Sequence, residues 1–152
     1  MDTTKDIIDT WKMNNQVTLY LLENIETEWL KTKLCEKGRT IGEQFVHINN
    51  IRSMWINKVG EKIDLKLDKK KSIDKVELKK GLEITSEKMT KTLIKVFTEK
   101  QIKGFKPHPI AFFAQMIAHE SHHRGQIMTT ITRNDLKISK SVNFGLWSWQ
   151  TK

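Results

Sequence analysis

The chain has 152 residues, 38% apolar and 30% charged, which suits one folded domain and excludes a disordered polypeptide. Its formal charge of +9 points to anions as partners (nucleic acid, acidic lipid or a small acidic substrate) or to a lysine-rich solvated surface. Cys35 is the only cysteine, which excludes an intrachain disulfide, and no apolar run approaches the ~18 residues of a membrane span.

An unpartnered cysteine suits a reducing compartment. Acidic residues interrupt the N-terminal run M-D-T-T-K-D-I-I-D-T-W, so it does not read as a secretory leader. A cytoplasmic location without membrane contact is expected. Glycine is sparse and proline occurs only as Pro107 and Pro109, which favours long helices over many short strands.

A first helix is predicted over residues 4–26, where Ile7, Ile8, Trp11, Leu19, Leu22 and Ile25 recur at helical spacing. Thr3 or Thr4 can cap it, and Trp29 and Leu30 begin a connection. Thr40 with Glu43 three residues on is a capping box that opens a second helix, from Ile41 to Val59. Its stripe is Ile41, Phe45, Ile48, Ile51, Trp55 and Val59, and Gly60 is its stop. His47 falls at the edge of that stripe, between core and solvent.

Ile63, Leu65 and Leu67 alternate with polar residues, so a short extended segment is expected there. Ser72 can cap a third helix that runs to about Lys100, with Val76, Leu82, Met89, Leu93, Val96 and Phe97 inward and Gly81 a weak point. Pro109 suits the first turn of a fourth helix ending near Arg133. Phe144, Trp147 and Trp149 in the tail suggest that the tail docks on the body. The expected fold is all-α, an antiparallel four-helix bundle in a single domain over residues 1–152.

Three of the five histidines lie in the run I-A-H-E-S-H-H-R-G-Q-I, residues 117–127. On a helix, His119 and His123 share a face with side chains starting roughly 6 Å apart, close enough to bind one metal ion. H-E-S-H-H also matches the zinc-protease signature, with Glu120 as the base. Such a site needs a further ligand, and beyond His123 there is no histidine or glutamate and only one acid, Asp135. Glu120 also points roughly 80° away from the metal direction. The match therefore reads as coincidental, and a third histidine must come from upstream. His108 lies in a loop between prolines. His47 lies on a helix edge, where it can converge on a neighbouring helix or be an ordinary half-buried histidine. Three histidines would leave a fourth position open, as catalytic sites do, and imidazoles suit zinc, nickel, iron or copper.

G-R-T-I-G-E-Q-F-V-H-I (38–48) and I-A-H-E-S-H-H-R-G-Q-I (117–127) together resemble the two metal-binding segments of the DinB-like metalloenzymes, and the likeness runs from the first helix through Arg133. It implies a four-helix bundle, often a homodimer, with a divalent metal, zinc or nickel first, on His47, His119 and His123 between the second and fourth helices. His122 and Glu120 receive no role from it. Better-understood relatives use low-molecular-weight thiols, so the resemblance implies a metal-dependent enzyme that transfers such a thiol to a small electrophile. A metal-dependent hydrolase is the alternative, and a non-enzymatic basic module or dimeric scaffold a further one. Lysines spread through residues 31–106 without interleaved aromatics make nucleic acid a poor partner.

Helix geometry adds Phe112, Gln115, Met116, Gln126 and Thr130 to the face of His119 and His123, and Glu43, Asn50, Met54 and Trp55 beside His47. Of these, Glu43, Asn50, Gln115 and Gln126 are the polar candidates for supporting a ligand or lining the pocket. Arg124 is expected off the metal face, in an ion pair or inter-helix contact.

Overall fold

The computed structural model describes residues 3–149. They form α1 (Thr3–Glu23), α2 (Ile41–Val59), α3 (Lys75–Glu99), α4 (Pro109–Arg133) and a short α5 (Lys140–Gly145), with 3-10 turns at Thr27–Lys31 and Lys69–Ile73. No strand occurs among the described residues; Lys33 and Thr40 form one isolated bridge. The fold is all-helical, and none of the described helices is long and apolar enough to cross a membrane.

Local signals placed the helix ends well where they were strong. The Thr40–Glu43 capping box forms in both directions, and Gly60 closes α2 with a φ of 97° that favours glycine. His108 caps α4, its Nδ1 accepting from the Ala111 N–H at 3.3 Å. Three expectations need correction. α1 stops at Glu23, short of residue 26, while Leu30 lies in the connection as expected and is buried there. Asp74, not Ser72, caps α3, because its carboxylate accepts from both Val76 and Glu77 N–H groups; Ser72 is buried in the preceding turn. Val76 then falls outside the core at 75% exposure, and Leu78 takes the inward position.

The four long helices pack with α3 against α1 and α2, and α4 against α2 and α1. Two apolar clusters fill the bundle. One joins the end of α1 (Leu21, Leu22), the starts of α2 and α3 (Ile41, Phe45, Leu78, Leu82) and the end of α4 (Ile127, Ile131). The other joins Trp11 of α1, Trp55 and Ile56 of α2, Met89, Leu93 and Val96 of α3, and Phe112 and Met116 of α4. α2 and α3 therefore run in the same direction, as do α1 and α4, and the two pairs oppose one another. This corrects the fully antiparallel arrangement.

The reason lies in the α2–α3 connection, which returns along α2. Asn57 pairs with both backbone groups of Ile63, donating to its carbonyl at 2.9 Å and accepting from its N–H at 3.0 Å. Asn50 does the same at Leu67, with both bonds at 2.9 Å, and Ser53 donates to the Leu65 carbonyl at 2.7 Å. Residues 61–68 are thus extended, as the Ile63-Leu65-Leu67 alternation implies, but their partners are helix side chains instead of a second strand. That satisfies the segment's backbone without a sheet and brings α3 back to the start of α2.

The returning chain lies close to α2. A Cβ on Gly42 would sit 1.7 Å from the Ser72 carbonyl oxygen. Gly81, which reads as a weak helix position, has a similar use, since a Cβ there would meet Leu67 Cδ1 at 2.8 Å. The tail docks through Leu136, Ile138 and Leu146. Two of the three tail aromatics do not drive this, Phe144 being 74% and Trp147 81% exposed, whereas Trp149 is partly buried. Gly42→Ala should lower stability by roughly 1–3 kcal/mol from overpacking, although alanine is the better helix former; the urea midpoint checks this, and a raised midpoint would remove the close approach as a constraint.

Candidate metal centre

Between the two apolar clusters lies a buried polar layer. The Arg52 guanidinium from α2 grips the Glu120 carboxylate from α4 with two bonds, Nε to Oε1 at 2.6 Å and Nη2 to Oε2 at 2.8 Å. Both side chains are essentially inaccessible to water. Arg52 also donates to Asn15 Oδ1 on α1 and to the Leu82 carbonyl on α3. Asn14 donates to Glu120 Oε2 at 2.8 Å, while Arg124 donates to Asn14 and Thr18 on α1. The expected inter-helix contact of Arg124 is present.

Glu120 is therefore no bystander, as the sequence reading had it. It is the central anion of the layer, turned away from the histidines. Burial pushes its carboxyl up, but Arg52, Arg124 and the Asn14 donor outweigh burial and hold it below the ordinary value. Arg124, one helical turn on, pairs with Glu120 at 3.8 Å and is a local signal of this, but the main partner, Arg52, is 68 positions upstream.

Five residues before Arg52, α2 presents His47, and the residue before Glu120 is His119. The same helix pair thus brings three imidazoles together. His119 Nε2 lies 3.3 Å from His47 Nε2 and 3.1 Å from His123 Nε2. All three ligand atoms fall within 4.8 Å of one another. A tetrahedral ion with metal–nitrogen bonds of about 2.0–2.1 Å has ligand–ligand edges of roughly 3.3 Å. The two measured separations match that edge, so the group could hold a metal ion.

Its electrostatics agree. Burial, then the positive charge of Arg39 and then His119, lowers His47 to about 4. Burial and the neighbouring imidazoles lower His123 to about 4. Burial lowers His119 as well, against the opposing effect of Glu120. At neutral pH all three rings are neutral and carry the lone pairs a cation needs. On His123 the choice of nitrogen is fixed: Nδ1–H donates to Gln44 Oε1 at 2.7 Å and to Gln126 Oε1 at 3.1 Å, which turns the Nε2 lone pair toward the other rings. His119 Nδ1 is buried without a hydrogen-bond partner among the described residues.

Gln126 thus touches a ring, and Gln44, which the sequence reading missed, touches it more closely. Glu43 and Asn50 line a cleft beside His47 but are engaged elsewhere, Glu43 with the Thr40 N–H and Asn50 with Leu67. Gln115 is exposed and lines neither cleft next to the histidines. Thr130 lines the second of these clefts with Gln44 and Gln126. Phe112, Met116 and Trp55 belong to the apolar core, and Met54 is exposed. His122 is exposed, its ring edge-on to His123 with centroids 5.1 Å apart.

The family model described as the DinB family matches residues 1–103. That span holds α1 to α3 and His47 and ends before α4, so His119 and His123 reach the site through the fold and not through the match. No curated protein and no solved structure matches the chain.

Glu120→Gln should cost roughly 3–5 kcal/mol, because it leaves Arg52 buried without its counter-charge. Arg52→Met with Glu120→Leu should recover much of that loss. The depressed Glu120 pKa also fixes a sign. Its contribution is complete above the unfolded value, near 4.5, and fades as pH falls through the lower folded value. Denaturant midpoints measured from pH 7 to pH 3 should show a steeper acid loss for the native chain than for Glu120→Gln.

Proposed function

The chain belongs to the DinB family, and on that premise we propose that it is a divalent-metal-dependent enzyme acting on a small molecule. The observation that carries the proposal is the convergence of three imidazoles within 4.8 Å, with His119 Nε2 at tetrahedral-edge spacing from the Nε2 atoms of both His47 and His123. His47, His119 and His123 would hold the ion, zinc or nickel, and one position would stay open to substrate. Gln44 and Gln126 orient His123 through its Nδ1–H.

The reaction proposed is transfer of a low-molecular-weight thiol to an electrophile. An ion held by His47, His119 and His123 would supply the positive charge that favours the thiolate form of a thiol. The thiol's proton would go to solvent and the new carbon–sulfur bond would form as a bond to the electrophilic carbon breaks, chloride departing with that electron pair from a chlorinated electrophile, or the epoxide oxygen keeping it and taking a proton from solvent. The second reading is a metal-dependent hydrolase in which the open position would activate water; Glu120 would not be its base, because both its oxygens are taken by Arg52 and Asn14 inside the bundle. A homodimer, a cytoplasmic location, a single domain over residues 1–152 and the absence of a nucleic-acid partner complete the proposal.

The native chain should bind one zinc or nickel ion, and His119→Ala or His123→Ala should abolish that stoichiometry by native mass spectrometry. Gln44→Leu should weaken affinity about 10–100-fold while keeping the site. Unchanged metal content in the histidine variants would sink the ligand assignment. The metal-loaded chain should also consume a free thiol in the presence of an epoxide or chlorinated electrophile, faster than His119→Ala does. Equal rates would remove thiol transfer.

A further inference from the structure

Two clefts, each of about 480 Å³, flank the three histidines. One is lined by His47 itself, together with Asn50, Lys66 and Lys69. The other reaches Gln44 and Gln126, the two residues that hold His123, and includes Lys37 and Lys69. Arg39 and Lys69 line both. Arg39 precedes the Thr40 cap, so it projects from the start of α2, the helix that carries His47 eight residues on.

The charges in these clefts are unevenly used. The acids are engaged: Glu43 accepts from the Thr40 N–H at 2.9 Å and faces Lys69 at 3.8 Å, and Asp68 accepts from the Lys70 N–H at 2.8 Å. Arg39 and Lys66 have no ion pair or side-chain hydrogen bond among the described residues. Nor is Lys66 on a free loop. Its neighbours on either side are pinned to α2, Leu65 by Ser53 and Leu67 by Asn50. The connection that reverses the chain thus holds a lysine over the His47 cleft while Arg39 faces it from the helix start. Unpaired guanidinium and ammonium groups around a concave site select oxyanions, with the planar guanidinium the more directional of the two.

We propose that Arg39, assisted by Lys66 and Lys69, binds an oxyanion group, carboxylate or phosphate, of the small molecule whose reacting atom takes the open metal position. This rests on the metal-dependent reading of the site and adds the class of substrate: an anionic one. It also gives part of the +9 charge a specific use beyond solubility.

Calorimetric titration of the zinc-loaded full chain with inorganic phosphate, and separately with succinate, tests it. Arg39→Gln and the pair Lys66→Gln with Lys69→Gln are the informative variants, and Lys80→Gln, on the exposed face of α3, is the control. Arg39→Gln should weaken at least one of the two anions about tenfold or more, the lysine pair should weaken the same anion, and Lys80→Gln should change neither. Zinc stoichiometry should be unchanged throughout. A loss confined to phosphate identifies a phosphorylated substrate, and one confined to succinate a carboxylate. If the native chain binds neither anion, or if Arg39→Gln and the lysine pair bind both as tightly as it does, the proposal is overturned while the metal reading stands. If the native chain takes up no zinc yet its anion binding still depends on Arg39, the oxyanion site stands and the metal reading falls.

Discussion

The ion pair between Arg52 and Glu120 brings all four long helices together at one level. Arg52 comes from α2 and Glu120 from α4, Asn14 and Asn15 of α1 complete their bonds, and the Leu82 carbonyl adds α3. A charge pair with no access to water is expensive to form and more expensive to half-remove. Its value here lies in geometry. A bidentate guanidinium–carboxylate contact admits little sliding or rotation, so the register of α2 against α4 is fixed where two apolar stripes alone would tolerate a shift.

The histidine cluster depends on that register. His47 and Arg52 are five positions apart on α2, and His119 and Glu120 are adjacent on α4. One face of the helix pair points inward to the ion pair, and the next points outward to the imidazoles. A turn's slip between the helices would separate His47 from His119 and His123 by about 5 Å, since that is the helical pitch. The buried pair can therefore be understood as the device that holds the three nitrogens at their spacing, and the glutamines as the devices that aim one ring.

A second constraint comes from the connection that returns along α2. Because Asn50, Ser53 and Asn57 supply the hydrogen bonds that a neighbouring strand would supply, the segment can be extended without a sheet. This sends α3 parallel to α2, closes one side of the His47 cleft and carries Lys66 and Lys69 to its rim. The alternation of Ile63, Leu65 and Leu67 showed that the segment is extended. It could not show what the segment lies against, since a row of asparagines and a serine on a helix reads as a polar face.

What the sequence determined by itself is local. The capping box and Gly60 set both ends of α2, because each partner is within a few residues. The four-residue spacing of His119 and His123 puts them on one face, because helix geometry requires it. The core stripes are legible in large part for the same reason, though on α1 the expected Ile8 and Leu19 are only partly buried while Val17 and Leu21 are in the core, and on α3 moving the start from Ser72 to Asp74 went with Val76 facing solvent. What only the tertiary structure decided spans long distances in sequence. Gln44 meets His123 across 79 positions, His47 meets His119 across 72 and Arg52 meets Glu120 across 68. The same is true of the direction in which α3 runs. Glu120 shows the difference most clearly. Local pattern made it first a catalytic base and then a bystander, whereas the packed bundle makes it the buried anion on which the register rests, because a carboxylate takes its role from the charges brought to it and Arg52 arrives only through folding.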